Sequence, residues 1–141
     1  MRPMPGSFLD TNLLIYLASG AAKKADRVER LLSDGAIISV QVLNELANVL
    51  RRKLGWSWQD THSFLSAVKA LATVTPPTVD AHEAGLALSE RHGFSIYDGQ
   101  IVGAAMLAGC DTLWSEDMQD GLLVADRMRI RNPFVIGEED L

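Results

Sequence analysis

The stretch Ser7-Phe8-Leu9-Asp10-Thr11-Asn12 places a short apolar segment directly before an aspartate and the start of an apolar helical pattern. It predicts a strand over residues 7–9 and a helix over residues 12–18. A second unit of this kind follows, in which the apolar residues 36–40 predict a buried strand and residues 41–53 an amphipathic helix. Strands alternating with helices are typical of an α/β protein with a parallel sheet.

The rest of the chain continues the alternation. Helical patterns cover residues 23–33, 58–71, 79–92 and 99–107, the last opened by Ser95. Extended patterns cover residues 73–75 and 111–114, with a further strand near residues 128–130. We therefore expect an α/β/α sandwich with a central parallel sheet and right-handed crossovers. The length of 141 residues fits a single domain over residues 1–141.

The predicted helix over residues 41–53 carries one apolar stripe. The inward positions are Leu43, Leu46, Ala47, Leu50 and Leu54. Glu45 lies off this stripe, with Val42 and Val49 as its i−3 and i+4 neighbours. A carboxylate between two valines indicates a partly buried face, where an unpaired charge is costly. The pattern therefore indicates that something, such as a metal ion, compensates Glu45.

Composition limits the classes of function. The net charge is −5, so the chain does not bind nucleic acid by overall basicity and would need a local basic patch or a metal ion. The single cysteine, Cys110, allows no intrachain disulfide and favours a reducing compartment, with the thiol buried. Residues 1–9 lack the long apolar core of a secretion signal. The apolar runs are shorter than the ~20 residues of a membrane helix, so we expect a cytoplasmic protein with no membrane contact.

Four carboxylates fall where the predicted sheet would gather them. Asp10 directly follows the first strand, and Asp117 follows the strand that ends at Trp114. Ligands of open parallel sheets bind at the carboxyl ends of the strands. Glu45 and Asp98 lie on helices whose starts could face that same edge. A set of oxygen ligands suits Mg²⁺ or Mn²⁺ and does not suit zinc.

Each of these carboxylates alone has an ordinary structural explanation. Asp10 could cap the first helix, and Asp98 completes a Ser95-x-x-Asp98 capping box. Asp117 could be a turn residue, and Glu45 could be solvated. Four gathered carboxylates repel one another, however, and some would take up protons without a cation. Metal binding therefore explains the set better than four unrelated roles.

A carboxylate-held divalent ion is suited to phosphodiester hydrolysis, because it lowers the pKa of a bound water molecule, and a second ion can also stabilise the leaving oxygen. A haloacid-dehalogenase-like phosphatase would need a second aspartate two residues after the first, where this chain has Asn12. Histidines 62, 82 and 92 show no ligand pairing. A non-catalytic domain that binds nucleic acid or protein remains an alternative.

The motifs carry a family resemblance. They are Phe8-Leu9-Asp10-Thr11-Asn12, Val42-Leu43-Asn44-Glu45, Ser95-Ile96-Tyr97-Asp98 and Trp114-Ser115-Glu116-Asp117-Met118-Gln119-Asp120-Gly121. In this order and spacing the chain resembles the PIN-domain family, and most of all the VapC-like toxin ribonucleases of VapBC-type toxin–antitoxin pairs. The resemblance implies an α/β/α sandwich and endonucleolytic cleavage of an RNA substrate with Mg²⁺ or Mn²⁺.

The resemblance also assigns roles to residues. It makes the metal ligands and catalytic acids Asp10, Glu45, Asp98 and Asp117, gives supporting roles to the hydroxyls of Thr11 and Ser115, and leaves Asp120 as an additional acid of open role. It further implies a homodimer and a protein antitoxin, although a stand-alone PIN nuclease without an antitoxin is an alternative.

Two further groups have open interpretations. Arg51, Arg52 and Lys53 could contact RNA phosphates near the metal, or could be a solvated helix end favoured by the helix dipole. Trp56 and Trp58 flank Ser57 at a helix junction, where core packing is the default expectation and an exposed partner groove the alternative.

Overall fold

The computed structural model describes residues 6–135. Its strands are β1 (Ser7–Leu9), β2 (Ala36–Ser39), β3 (Ala72–Thr75), β4 (Thr112–Trp114), β5 (Leu123–Val124) and β6 (Met128–Arg131). Its helices are α1 (Thr11–Ser19), α2 (Ala22–Ser33), α3 (Val40–Arg52), α4 (Trp58–Leu71), α5 (Val79–His92) and α6 (Ile96–Leu107). None of the helices in this part of the chain is both long and apolar enough to cross a membrane.

The six strands form one sheet in the order β3-β2-β1-β4-β6-β5. All neighbouring pairs are parallel except β5 and β6, which run antiparallel. In the middle of the sheet, Phe8 of β1 lies opposite Ile37 on one side and Leu113 on the other. The chain builds outward from β1 through β2 to β3, and then returns to the other side of β1. This reversal opens a crevice at the carboxyl ends of β1 and β4, where parallel α/β sheets bind ligands.

The helices divide into two groups. Helix α1 packs against α2 and α3, and α3 packs against α4, whereas α5 and α6 pack against each other. Because parallel crossovers are right-handed, the reversal after β3 puts α5 and α6 on the opposite face from α1–α4. The predicted sandwich of two helical layers around a mostly parallel sheet is confirmed.

The central strands are buried on both faces. Phe8, Leu9, Ile38, Leu113 and Ile130 are fully buried, as strands covered by helices on both sides require. The cysteine is also buried, as predicted, and burial raises the pKa of the Cys110 thiol to about 11.

Helices α5 and α6 approach each other closely through glycines. A Cβ on Gly103 would lie 2.7 Å from the backbone nitrogen of Gly85 and 2.9 Å from the carbonyl oxygen of Ala81. A Cβ on Gly99 would lie 2.7 Å from the carbonyl oxygen of Gly85. The two backbones are therefore in contact, with no room for side chains between them. This contact sets the position of α6 against α5, and with it the position of Asp98 in the first turn of α6.

Most predicted elements are present, with small shifts at their ends. Ser39 ends β2 and caps α3, because its Oγ accepts a hydrogen bond from the backbone nitrogen of Val42 at 3.3 Å. The predicted strand near residues 128–130 is present as β6, but its antiparallel neighbour β5 is absent from the sequence prediction.

Two expectations about side chains are wrong. Leu54 was placed on the inward stripe of α3, but the helix ends at Arg52 and Leu54 is 38% exposed. Core packing holds for Trp56, which contacts Phe64, but fails for Trp58, which is 61% exposed. Trp58 is the first residue of α4, on the outer side of the junction, where the core does not reach it.

Candidate functional site

Asp10 lies at the crevice between β1 and β4. It follows β1 and is the N-cap of α1. Its backbone nitrogen donates a hydrogen bond to the carbonyl oxygen of Trp114 at 3.0 Å. Its Oδ1 accepts a hydrogen bond from the backbone nitrogen of Thr11 at 2.7 Å, and its Oδ2 accepts one from Ser115 Oγ at 2.8 Å. Only 4% of Asp10 is exposed. The capping role and the gathered site are therefore compatible, because one oxygen caps the helix while the carboxylate faces the crevice.

In the described part of the chain, no basic side chain forms an ion pair with Asp10. Burial raises the pKa of Asp10 to about 6, although the hydrogen bonds from Ser115 and Thr11 act to lower it. Repulsion from Asp98 and Glu45 raises it further. Within residues 6–135 the one ion pair joins Lys24 to Glu116 and leaves Asp10 out. A buried carboxylate among like charges is costly, and a cation beside it would remove that cost.

Asp98 lies in the first turn of α6. The backbone nitrogen of Asp98 donates to Ser95 Oγ at 3.1 Å, so the capping interaction is present. Burial raises the pKa of Asp98, and repulsion from Glu45 and then Asp117 adds to this effect. Mutual repulsion therefore links four carboxylates that come from separate places in the chain. We call them the carboxylate cluster: Asp10, Glu45, Asp98 and Asp117.

Glu45 is partly buried on α3, as its valine neighbours indicated. Its Oε1 accepts a hydrogen bond from Thr11 Oγ1 at 2.8 Å, and its Oε2 accepts one from Gln41 Nε2 at 2.9 Å. Both donors are neutral, so they orient the carboxylate without cancelling its charge. Thr11 also joins Glu45 to the first turn of α1, next to Asp10.

Two residues of this network, Asn12 and Gln41, were not predicted from the sequence as part of the site. Asn12 Nδ2 donates to Asp10 Oδ2 at 3.2 Å and to Asp117 Oδ2 at 3.0 Å, and thus holds the exposed Asp117 beside the buried Asp10. Gln41 is the second. Its position four residues before Glu45, one helical turn away, is the sequence signal that could have found it. For Asn12 the sequence holds no such signal, because its partner Asp117 lies 105 residues further along the chain.

Glu116, next to Asp117, belongs to a different interaction. Its carboxylate forms an ion pair with Lys24 at 2.8 Å and accepts a hydrogen bond from the Tyr16 hydroxyl. Hydrogen bonds from Lys24 and then Tyr16 lower the pKa of Glu116. In the loop after β4, Asp117 therefore belongs to the carboxylate cluster, whereas its neighbour Glu116 pairs with Lys24 on α2.

The remaining predicted residues lie further out. Asp120 is exposed, and its Oδ1 accepts a hydrogen bond from the backbone nitrogen of Asn132 at 2.8 Å, which joins its loop to the segment after β6. Arg51 donates to the carbonyl of Trp56, and its guanidinium lies 4.2 Å from the centre of the Trp58 ring. Arg52 and Lys53 are exposed at the end of α3.

The cluster fits a divalent cation by the chemistry of its donors. Its four carboxylates and the adjacent hydroxyls and amides offer oxygen ligands, which suit Mg²⁺ or Mn²⁺. Among residues 6–135, no three acidic, histidine or cysteine side chains already converge on one point at ligand distance. Hydrogen bonds from Ser115, Thr11, Gln41 and Asn12 orient three of the carboxylates, those of Asp10, Glu45 and Asp117, and the four do not form a closed cage.

Comparison with known proteins identifies the fold. The sequence model of the PIN domain matches residues 7–120, which is most of the chain. No curated protein sequence matches this chain. A toxin–antitoxin complex from Klebsiella pneumoniae is similar in structure, with 21% identity, a TM-score of 0.69 and coverage of 93% of this chain and 100% of that one.

Two further solved structures have the same fold. A DNA-bound VapBC from Salmonella typhimurium has 18% identity and a TM-score of 0.68, covering 92% of this chain and 99% of that one. The sarcin–ricin loop cleaving toxin VapC20 of Mycobacterium tuberculosis has 19% identity and a TM-score of 0.62, covering 77% and 87%. The chain belongs to the PIN-domain family, and its fold is that of the VapC toxins.

Proposed function

We propose that this protein is a divalent-metal-dependent endoribonuclease that hydrolyses RNA phosphodiester bonds and acts as the toxin of a toxin–antitoxin pair. The observation that carries the proposal is the environment of Asp10. It is a buried carboxylate at the crevice of a parallel sheet, surrounded by three other acids and without a basic partner in the described residues. Membership of the PIN-domain family and the likeness to a toxin that cleaves the sarcin–ricin loop support it.

In this proposal Asp10, Glu45, Asp98 and Asp117 hold the ion or ions. If bound there, Mg²⁺ or Mn²⁺ would supply Lewis-acid chemistry, lowering the pKa of water and stabilising charge on the phosphate. The chain itself holds the ligands in place. Ser115 and the backbone of Thr11 orient Asp10, the side chains of Thr11 and Gln41 orient Glu45, and Asn12 orients Asp117. Neutralising the four carboxylates also lets an acidic protein accept the RNA backbone.

A pair of aspartates at the two ends of β4 provides a matched test of this assignment. Asp117 follows the strand at its carboxyl end, and Asp111 precedes it at the opposite edge of the sheet. We expect Asp117→Asn to lower Mn²⁺-dependent cleavage of a mixed RNA pool by at least 10-fold, and Asp111→Asn to leave it unchanged. Equal activity of the two variants in a gel assay would remove Asp117 from the proposed ligand set.

We propose that the basic end of α3 contacts RNA phosphates through Arg52 and Lys53, whose side chains are exposed. Arg51 is tied to Trp56 and Trp58 and would orient this end of the helix. Arg52→Gln together with Lys53→Gln is expected to raise KM while kcat stays the same, and to reduce the salt dependence of binding by about one unit of slope per lost contact. An unchanged salt slope would mean that this end of α3 is only solvated.

The proposed biological setting is a cytoplasmic pair with a protein antitoxin, and a homodimeric toxin. Solved structures of similar fold are described as toxin–antitoxin complexes, which supports an antitoxin here. Expression in a bacterial host should arrest growth, and co-expression of the adjacent reading frame should relieve the arrest. Cleavage of RNA in vitro without any growth arrest would favour the stand-alone nuclease. Light scattering at micromolar concentration tests the dimer.

The competing proposal is a non-catalytic domain that binds nucleic acid or protein. It predicts Mn²⁺ binding with no RNA cleavage by a folded protein. The mutual repulsion of four carboxylates counts against it, because a surface for binding an RNA backbone gains nothing from gathered negative charge.

A further inference from the structure

Next to the carboxylate cluster, on the side of α6, lies an open groove of about 490 Å³. It runs between the start of α3 and the start of α6, and this volume is within the range of about 300–1,000 Å³ typical of small-ligand pockets. Its walls are formed in part by Gln41, Pro77, His82, Ile96, Tyr97 and Gln100. Glu45, a member of the cluster, also lines it.

The groove presents large apolar side chains that the fold leaves uncovered. Tyr97 is 73% exposed and Ile96 is 58% exposed, although both lie in the first turn of α6, directly before Asp98. They do not contribute to the core, which α6 reaches through Ile101, Val102 and Ala105. Their exposure is therefore not required by the packing of α6.

One side chain joins the groove to the carboxylates. Gln41 Nε2 donates to the carbonyl oxygen of Tyr97 at 3.1 Å and to Glu45 Oε2 at 2.9 Å. Tyr97 is thus held beside Glu45 as well as beside Asp98 in sequence. The groove therefore adjoins the carboxylates, within reach of a group next to a phosphate bound there.

The chemistry of the groove selects among parts of an RNA chain. Within the described part of the protein no lysine or arginine lines it, so it lacks the strongly basic side chains that usually hold a phosphate. It offers an aromatic ring, apolar neighbours, the side-chain oxygens of Gln41 and Gln100 as acceptors, and the second Nε2 hydrogen of Gln100 as a donor, because both Nε2 hydrogens of Gln41 are already bonded. Unpaired bases are recognised in this way, by stacking on aromatic rings and by hydrogen bonds to their edges.

We propose that this groove is a subsite for an unpaired nucleobase next to the scissile phosphate, with Tyr97 as its stacking platform. The inference rests on the proposed nuclease function and adds to it a residue, Tyr97, that contacts the base beside the cleaved phosphate. Gln41 is then a positioning residue that couples the base-binding wall to Glu45.

The test measures binding separately from cleavage. Labelled RNA octamers of adenylate, cytidylate, uridylate and mixed sequence are compared with an abasic ribose-phosphate octamer by fluorescence polarisation, with Ca²⁺ in place of Mn²⁺. The wild type should bind at least one base-containing octamer on the order of 5- to 100-fold more tightly than the abasic octamer. Tyr97→Ala should remove this difference without weakening the abasic octamer, and Tyr97→Phe should keep it.

Leu107→Ala is the matched control, because Leu107 is 55% exposed at the other end of the same helix. It should leave all affinities unchanged. Equal affinity of the wild type for base-containing and abasic octamers overturns the inference, as does an equal loss of affinity for both in Tyr97→Ala. A change of oligomeric state in Tyr97→Ala, with no change in base preference, would assign this face to a second copy of the chain instead.

The two proposals fail in distinguishable ways. Mn²⁺-dependent cleavage by a protein that shows no base preference keeps the nuclease and rejects the subsite. Base-dependent binding by a protein that never cleaves RNA keeps the subsite and rejects the nuclease.

Discussion

Asp98→Asn is expected to lower metal-dependent RNA cleavage by at least about 100-fold and to leave stability in chelator unchanged or higher. Loss of groups that only support a metal ligand already costs about 10- to 100-fold, so loss of a ligand should cost more. The stability expectation follows from the charge environment. Burial and repulsion from Glu45 and Asp117 raise the pKa of Asp98, so removal of its charge relieves repulsion. Its backbone nitrogen still donates to Ser95, so the helix cap is kept.

The matched control is Asp80→Asn. Asp80 lies in the first turn of α5, as Asp98 lies in the first turn of α6, but it is exposed and outside the cluster. Both variants lose the same favourable interaction with the helix dipole, so their difference isolates the effect of the cluster. A large drop in melting temperature for Asp98→Asn alone, measured in chelator, would show that Asp98 is mainly structural.

Gly103→Ala is expected to destabilise the protein, although alanine is the better helix former by about 1 kcal/mol. The added Cβ would lie 2.7 Å from the backbone nitrogen of Gly85 and 2.9 Å from the carbonyl of Ala81. Backbone atoms cannot rotate away as a side chain can, so α5 and α6 must move apart. Overpacking of this kind costs about 1–3 kcal/mol. A thermal melt should show a decrease of Tm on the order of 5 °C.

The displacement of α6 should also change the geometry of the site. Helix α6 carries Asp98 at its start, so cleavage by Gly103→Ala should fall even at temperatures where the variant is folded. Gly103→Val should be worse in both measurements, because it adds more atoms to the same contact. A higher Tm for Gly103→Ala would mean that helix propensity outweighs the close contact and that the two helices can separate without cost.

The fold followed from local patterns where the elements are long or buried. The apolar segment before Asp10 indicated β1, the extended pattern over residues 111–114 indicated β4, and alternation with helices indicated the parallel sheet. β5 was not predictable in this way. It has two residues, Leu123 and Val124, and it exists because it pairs with Met128 and Arg129 across a tight connection. Such a pairing leaves no periodic signal in so short a segment.

The gathering of the four acids could be anticipated because two of them follow strands that end at one edge of the sheet. The bridging role of Asn12 could not. Asn12 bridges Asp10 and Asp117, which are 107 residues apart, and nothing in the sequence near Asn12 records the position of Asp117. The exposure of Trp58 was missed for a similar reason. Whether a tryptophan at a helix junction faces the core depends on how α3 and α4 cross, and local sequence does not contain that angle.

The most direct test of the central claim is cleavage of a mixed pool of structured RNAs by the purified protein in Mn²⁺, in Mg²⁺ and in chelator, beside Asp10→Ala. We expect cutting of at least one RNA in Mn²⁺ or Mg²⁺, none in chelator, and none by Asp10→Ala, whose folding is checked by circular dichroism. Cutting that persists in chelator, or a folded and metal-binding wild type that leaves every RNA intact, would contradict the central claim.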